Sequence, residues 1–251
     1  MIHFWNGNKS PARQAYEYQL LELVLGHAGV NESIHNDTTD YPKAKDEGGI
    51  FERGADLLVT VAGNRKFADT AFIEVPIPLC KGVLGHRVAI IARSRQDEFA
   101  IKSPAELKQQ RVGVPATWVD AELFRYNGYY VMERGSLPEV MQWVANGEID
   151  YLTLGVNEAA EILSQFGELT SSLMIEPTKV LQYPFPVVFY VNPAQPKLAE
   201  QLAIGLQHII GNGALERLFD DHFAQVLKSI NLASRERIEM VNPLLPLQYQ
   251  A

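Results

Sequence analysis

The sequence has little cysteine: one residue, Cys80, in 251. No internal disulfide can close, and thiol usage assigns no redox compartment. Basic side chains are outnumbered, with 22 Lys and Arg against 30 Asp and Glu and a formal net charge of −8. The longest basic passage, Arg87 to Arg95, is broken up by apolar residues. A nucleic-acid surface, which needs clustered cations to meet phosphates, is excluded. No apolar run approaches the roughly 20 residues of a membrane-spanning helix; Val88 to Ala92 has only the length of a strand. The start, Met1-Ile-His-Phe-Trp5, lacks the basic and then apolar stretches of a secretory leader. That fits a cytoplasmic chain, or one whose leader has been removed and replaced by a start Met.

Catalytic signatures are missing as well. There is no Gly-x-Ser-x-Gly elbow, no P-loop and no Gly-x-Gly-x-x-Gly turn. His3, His27, His35, His86, His208 and His222 are scattered without the paired spacing of a zinc site. No catalytic group, metal site or cofactor is expected. Cys80, in an apolar Pro-rich stretch read as a strand, is expected to be buried and inert.

What remains is a patterned α/β chain. Helical spacing appears at Tyr16, Leu20, Leu23, Val24 and Ala28, closed by Gly29. It recurs at Leu137, Val140, Met141 and Val144, opened by Ser136 with Glu139 three residues on, a capping-box pattern. Two further helices run through Leu198, Leu202, Leu206 and Ile209, and through Leu215, Leu218, Phe219 and Phe223. Buried strands are predicted over Asp56–Val61, Arg87–Ala92, Arg111–Val114, Ile149–Leu154 and Pro186–Val191. Such strands alternating with helices indicate mostly parallel sheets covered on both faces.

One internal similarity stands out. Gly54-Ala-Asp56 leads into a strand and then the polar turn Ala62-Gly-Asn-Arg65. Gly147-Glu-Ile-Asp150 leads into a strand and then Gly155-Val-Asn-Glu158. Ligands of open α/β sheets sit at the carboxyl ends of strands, where both polar turns fall. Helix–Gly–strand units also recur in α/β proteins with no such purpose. Pro-punctuated passages at Arg87–Arg95 and Gln182–Val191 divide the chain into 1–92 plus 187–251 and an inserted 93–186.

In this order the segments resemble the bacterial extracellular solute-binding proteins of family 3, a two-lobed periplasmic-binding-protein-like group. The resemblance rests on Gly54-Ala-Asp56-Leu-Leu-Val59 with Asn64-Arg65, and on Ser103-Pro-Ala-Glu-Leu-Lys108 with Arg111-Val-Gly-Val114. It continues through Asn146-Gly147-Glu-Ile-Asp150, Asn192-Pro193, Asn212-Gly213 and Leu218, spanning Gly54 to Leu227. Lys81-Gly-Val-Leu-Gly85, Gly155 to Ala159 and the tail Ile238 to Pro246 are similar to a poorly characterised branch. The resemblance implies a type II fold of two α/β lobes joined by two hinge strands. It also implies a periplasmic, monomeric receptor for a small anionic or zwitterionic, amino-acid-like molecule, serving an ABC permease or a sensor kinase.

The resemblance also assigns roles to residues. Arg65, helped by Thr60, falls where the family grips a ligand carboxylate; a guanidinium meets that group with a fork of donors and never loses its charge. In the second lobe the family's acid is replaced by Gly155, and its hydroxyl-rich helix start by Thr117-Trp118-Val119. Asn157 or Glu158 is expected to substitute for the acid. Asp120 is either a ligand contact or a plain N-cap, and Trp118 either a stacking platform or core. Arg13 and Tyr16 follow the first ligand loop, Trp5 to Lys9, with Tyr16 also in phase with the core. Lys81 is an anion contact or a solvated charge. Two alternatives stay open: a dehydratase-like enzyme on the same scaffold using Glu158 or Asp120, and the ligand-sensing domain of a signalling system.

Overall fold

The structure, a computed structural model, describes residues 1–250. The chain begins with β1 (Ile2–Trp5), α1 (Pro11–His27), β2 (Ile34–Asp37), α2 (Ala44–Gly48), β3 (Leu57–Val61) and β4 (Ile73–Val75). Next come β5 (His86–Ala92), α3 (Gln96–Ala100), α4 (Pro104–Gln109), β6 (Arg111–Val114), α5 (Asp120–Tyr126) and β7 (Tyr130–Glu133). Then follow α6 (Leu137–Ala145), β8 (Tyr151–Gly155), α7 (Ala159–Ser164), α8 (Leu169–Ser172), β9 (Leu173–Ile175) and β10 (Lys179–Gln182). The chain closes with β11 (Val187–Val191), α9 (Pro196–Gly211), α10 (Ala214–Ser229) and β12 (Glu236–Glu239).

These elements form two compact units. Of the described residues, the first comprises 1–81, 186–225 and 246–250, and the second 82–185 and 226–245. The division differs from the one expected at residue 92. β5 hydrogen-bonds between β10 and β8, so it belongs with the second sheet, not with the residues before it. Likewise 226–245 returns to the second unit, because β12 pairs in parallel with β10.

The sheet of the first unit has the order β2-β1-β3-β11-β4. β1, β2 and β3 run parallel, while β11 is antiparallel to both neighbours. The second sheet has the order β12-β10-β5-β8-β6-β7, with β9 also on β5. Here β6, β7 and β8 run parallel and β5 opposes β8, β9 and β10. In each unit the reversed strand is the one with which the chain enters it from the other. β3, β11 and nearly all of β5 are fully buried, as their apolar runs require. β2 and β7, at sheet edges, have no buried residue.

The helix ends follow local chemistry. Ser10 caps α1 from its hydroxyl, with Pro11 in the first turn, where its missing N–H costs nothing. Glu139 reaches back to the Ser136 amide at 2.7 Å and so closes the box that opens α6. α1 buries Tyr16, Leu20, Leu21, Val24 and Leu25, and Gly205 lets α9 approach its backbone at Val24.

The internal similarity has a structural counterpart. The Asp56 carboxylate accepts the His3 amide at 2.8 Å, and the Asp56 amide donates to the His3 carbonyl at 2.8 Å. Asp150 treats Arg111 the same way, at 2.7 and 3.0 Å. Each acid therefore sets a parallel register, β1 with β3 and β6 with β8. Gly54 and Gly147, just before them, have φ of 96° and 77°, which a side chain would strain.

Candidate functional site

In the first unit the carboxyl ends of β1 and β3 lead into Asn6–Ser10 and Ala62–Arg65. Asn6 is wholly buried; its amide nitrogen donates to the Gln14 carbonyl at 2.9 Å and its oxygen accepts Lys9 Nζ at 3.1 Å. Lys9 also reaches Glu17 at 2.5 Å, and Arg13 donates to the other Glu17 oxygen at 2.8 and 3.2 Å. Burial pulls the Lys9 ammonium below its ordinary pKa, against the opposing pull of Glu17. Glu47 takes Asn8 Nδ2 at 2.7 Å and Lys66 Nζ at 2.8 Å. The Thr60 hydroxyl accepts Asn64 Nδ2 at 2.8 Å, and the Asn64 oxygen caps the turn carrying Arg65 by taking the Lys66 amide. Arg65 itself is exposed. Asp40 joins these charges by accepting the Asn8 amide at 2.6 Å.

In the second unit the carboxyl ends of β6 and β8 lead into Pro115–Val119 and Val156–Glu158. On the side of β8 away from β6, Arg87, the second residue of β5, is paired with Gly155 in register and almost wholly buried. Its Nη2 donates to Asp120 Oδ1 at 2.6 Å and its Nε to the Tyr183 hydroxyl at 2.8 Å. Tyr183 donates in turn to the same Asp120 oxygen at 2.7 Å. Glu158 Oε1 lies 3.9 Å from Arg87 Nη1. Burial works against the Arg87 charge, but Asp120, Tyr183 and Glu158 outweigh it and hold the guanidinium above its ordinary pKa. Burial also pushes the Tyr183 phenol well up. Beside this group sits Asn157, 3% exposed, with neither amide atom hydrogen-bonded among the described residues.

The predicted residues thus fall into two local sets. Thr60 lies in β3 and Arg65 follows it, with Arg13 in the first turn of α1; Asp120 and Glu158 flank Arg87, Asn157 directly precedes Glu158, and half-buried Trp118 sits just ahead of α5. Asp120 is not the N-cap, a place held by Val119, but the first helical residue, and its carboxylate is taken by Arg87 and Tyr183. Tyr16 lies in the core: its hydroxyl donates to the Leu79 carbonyl at 2.6 Å and its ring meets Phe219, His222 and Phe223. Arg13 spends its charge on Glu17. Lys81 pairs with Glu216 over the Phe219 ring. Cys80 is buried, though in a bend and not a strand. Sequence reasoning missed Arg87, Tyr183, Lys9 and Glu17. The available signal for Arg87 was a charged residue opening an apolar strand; Glu17 offered none, being an ordinary acid on a helix.

Among the described residues no group of three or more His, Cys, Asp or Glu side chains is placed to hold a metal, and no helix is long and apolar enough to cross a membrane. No family model and no curated protein matches the chain. Solved structures do. A periplasmic His/Glu/Gln/Arg/opine family-binding protein from Silicibacter pomeroyi, in complex with lysine, is 13% identical with a TM-score of 0.62, over 89% of this chain and 97% of that one. An arginine 3rd transport system periplasmic binding protein from Legionella pneumophila is 12% identical with a TM-score of 0.64, over 88% and 99%. The VFT2 domain of BvgS from Bordetella pertussis is 17% identical with a TM-score of 0.61, over 88% and 91%. The chain has the type II periplasmic-binding-protein fold, with one α/β sheet in each unit.

Proposed function

We propose that the chain is a solute-binding receptor for a small polar, amino-acid-like molecule, closing its two units as lobes around it and delivering it to an ABC permease from the periplasm. One observation carries the reading. In both units the polar loops follow the carboxyl ends of parallel strands, β1 and β3 in one and β6 and β8 in the other, whose registers are set by matching Asp residues. Arg65, on its exposed turn beside Thr60, receives the ligand's carboxylate in this reading. Trp118, Asp120, Asn157 and Glu158 complete the contacts from the second unit, and closure is a hinge motion biased by contacts that both units make. The solved relatives bound to lysine and L-arginine support the ligand class. The likeness to the BvgS domain favours a second reading, the sensing domain of a signalling protein.

Native mass spectrometry of the purified protein, followed by calorimetry with what co-purifies or with a panel of amino acids, tests this. Arg65→Ala is expected to weaken binding about 10- to 100-fold, the worth of a charge-assisted hydrogen bond, with the fold intact. Unchanged affinity would remove Arg65 from the site. Chemical conversion of the bound molecule on long incubation would replace the receptor with an enzyme.

A further inference from the structure

The Asn157 carboxamide is the most conspicuous unsatisfied group near the strand ends of the second unit. It is 3% exposed, and both Oδ1 and Nδ2 lack a hydrogen-bond partner among the described residues. Buried polar groups in folded proteins are almost always paired, because one left alone keeps the full cost of its desolvation. In the same unit Asp120 Oδ1 accepts from both Arg87 and Tyr183, and Glu158 Oε1 faces Arg87.

Gly155 explains how Asn157 is accommodated. A Cβ built there would lie 2.8 Å from Asn157 Oδ1 and 3.2 Å from Glu158 Oε1. The missing side chain gives the Asn157 amide its room over the end of β8. An acid at Gly155 and the amide in this place are mutually exclusive, so the strand end encloses a neutral group carrying one acceptor and two donors side by side.

We propose that Asn157 is a specificity-determining residue that reads an amide-type edge on the ligand, a carboxamide or a ureido group. The inference rests on the receptor reading above. An ammonium would satisfy Oδ1 and leave Nδ2 idle; a carboxylate would satisfy Nδ2 and oppose Oδ1. A group with a carbonyl oxygen and an N–H on one edge satisfies both at once, through two hydrogen bonds.

Calorimetry with L-glutamine, L-citrulline, L-glutamate and L-lysine tests this on the intact chain. The wild type is expected to bind the two amide-bearing probes at least tenfold more tightly than the two charged ones. Asn157→Leu, similar in volume, is expected to erase that preference while circular dichroism and the unfolding midpoint show a folded protein. Asn157→Asp, which keeps the shape and loses the amide donors, is expected to lose it too. Binding without amide preference, or a preference that survives in Asn157→Leu, overturns the role of Asn157 and leaves the receptor standing. Binding of none of the four counts against both readings.

Discussion

The Arg87 guanidinium meets the Asp120 carboxylate at 2.6 Å in the interior of the second unit, and Tyr183 donates to the same oxygen. Desolvating two charges is repaid only when both are present and further hydrogen bonds complete the arrangement. Asp120→Ala leaves a buried guanidinium without its main counter-charge and is expected to cost about 3–5 kcal/mol in urea unfolding. The paired replacement Arg87→Met with Asp120→Leu is expected to recover much of that loss. A double variant as unstable as the single one would show that the carboxylate matters through Tyr183 and not through the ion pair.

Asp150 gives the second sheet a pH dependence whose sign is fixed by its surroundings. Burial pushes its carboxyl up, but hydrogen bonds from the Arg111 side chain and amide and from Arg95 outweigh that and bring it to about 2. The folded value lies below the ordinary carboxylate value of about 3.9. The contribution to stability is therefore complete above about pH 4 and is lost as pH falls through about 2. Unfolding midpoints of the wild type and Asp150→Asn are expected to differ most near neutrality and to converge toward pH 2. A gap that stays constant through the acid range would mean that shape, and not charge, sets the role of Asp150.

The fold was legible wherever one strand or helix carried its own signal. Apolar runs at Leu57–Val61 and Val187–Val191 could only be interior strands, and the Ser136–Glu139 pair marked a helix start by chemistry local to four residues. The repeated Gly–acid–strand pattern was legible too, because the acid at each place takes the amide of the neighbouring parallel strand. The unit boundaries were less so. β5 reads as a connecting strand until its three antiparallel partners are known, and those lie far along the chain. The site was half legible for the same reason. Asp120 and Glu158 were visible as acids near helix starts, but Arg87 and Tyr183 are 96 positions apart and meet only in space.

Gly205 shows what close approach demands. A Cβ there would lie 2.1 Å from the Val24 carbonyl oxygen, a backbone atom of α1 that cannot swing aside. Gly205→Ala should gain the helix propensity of alanine, worth up to about 1 kcal/mol in an exposed helix. Forcing α1 and α9 apart is expected to outweigh it, since overpacking costs typically about 1–3 kcal/mol. A lower melting temperature is the expected result. A variant more stable than the wild type would show that the two helices separate without loss.

Cys80 offers a probe of opening in the first unit. Its thiol is 4% exposed and pushed up to about 12, chiefly by burial, with the negative charge of Glu17 adding to it and Arg13 and Lys9 working against it. The thiolate is the reactive form, so the folded protein holds almost none of it near neutrality. An aromatic disulfide reagent at pH 8 is expected to label unfolded protein quickly and native protein only at the rate at which the region around Tyr16 and Cys80 opens. When closing outpaces labelling, the observed rate follows the population of the open form, so destabilising Gly205→Ala should accelerate it. Labelling of the native protein as fast as of a small free thiol would place Cys80 on an accessible surface and refute the buried packing around Tyr16.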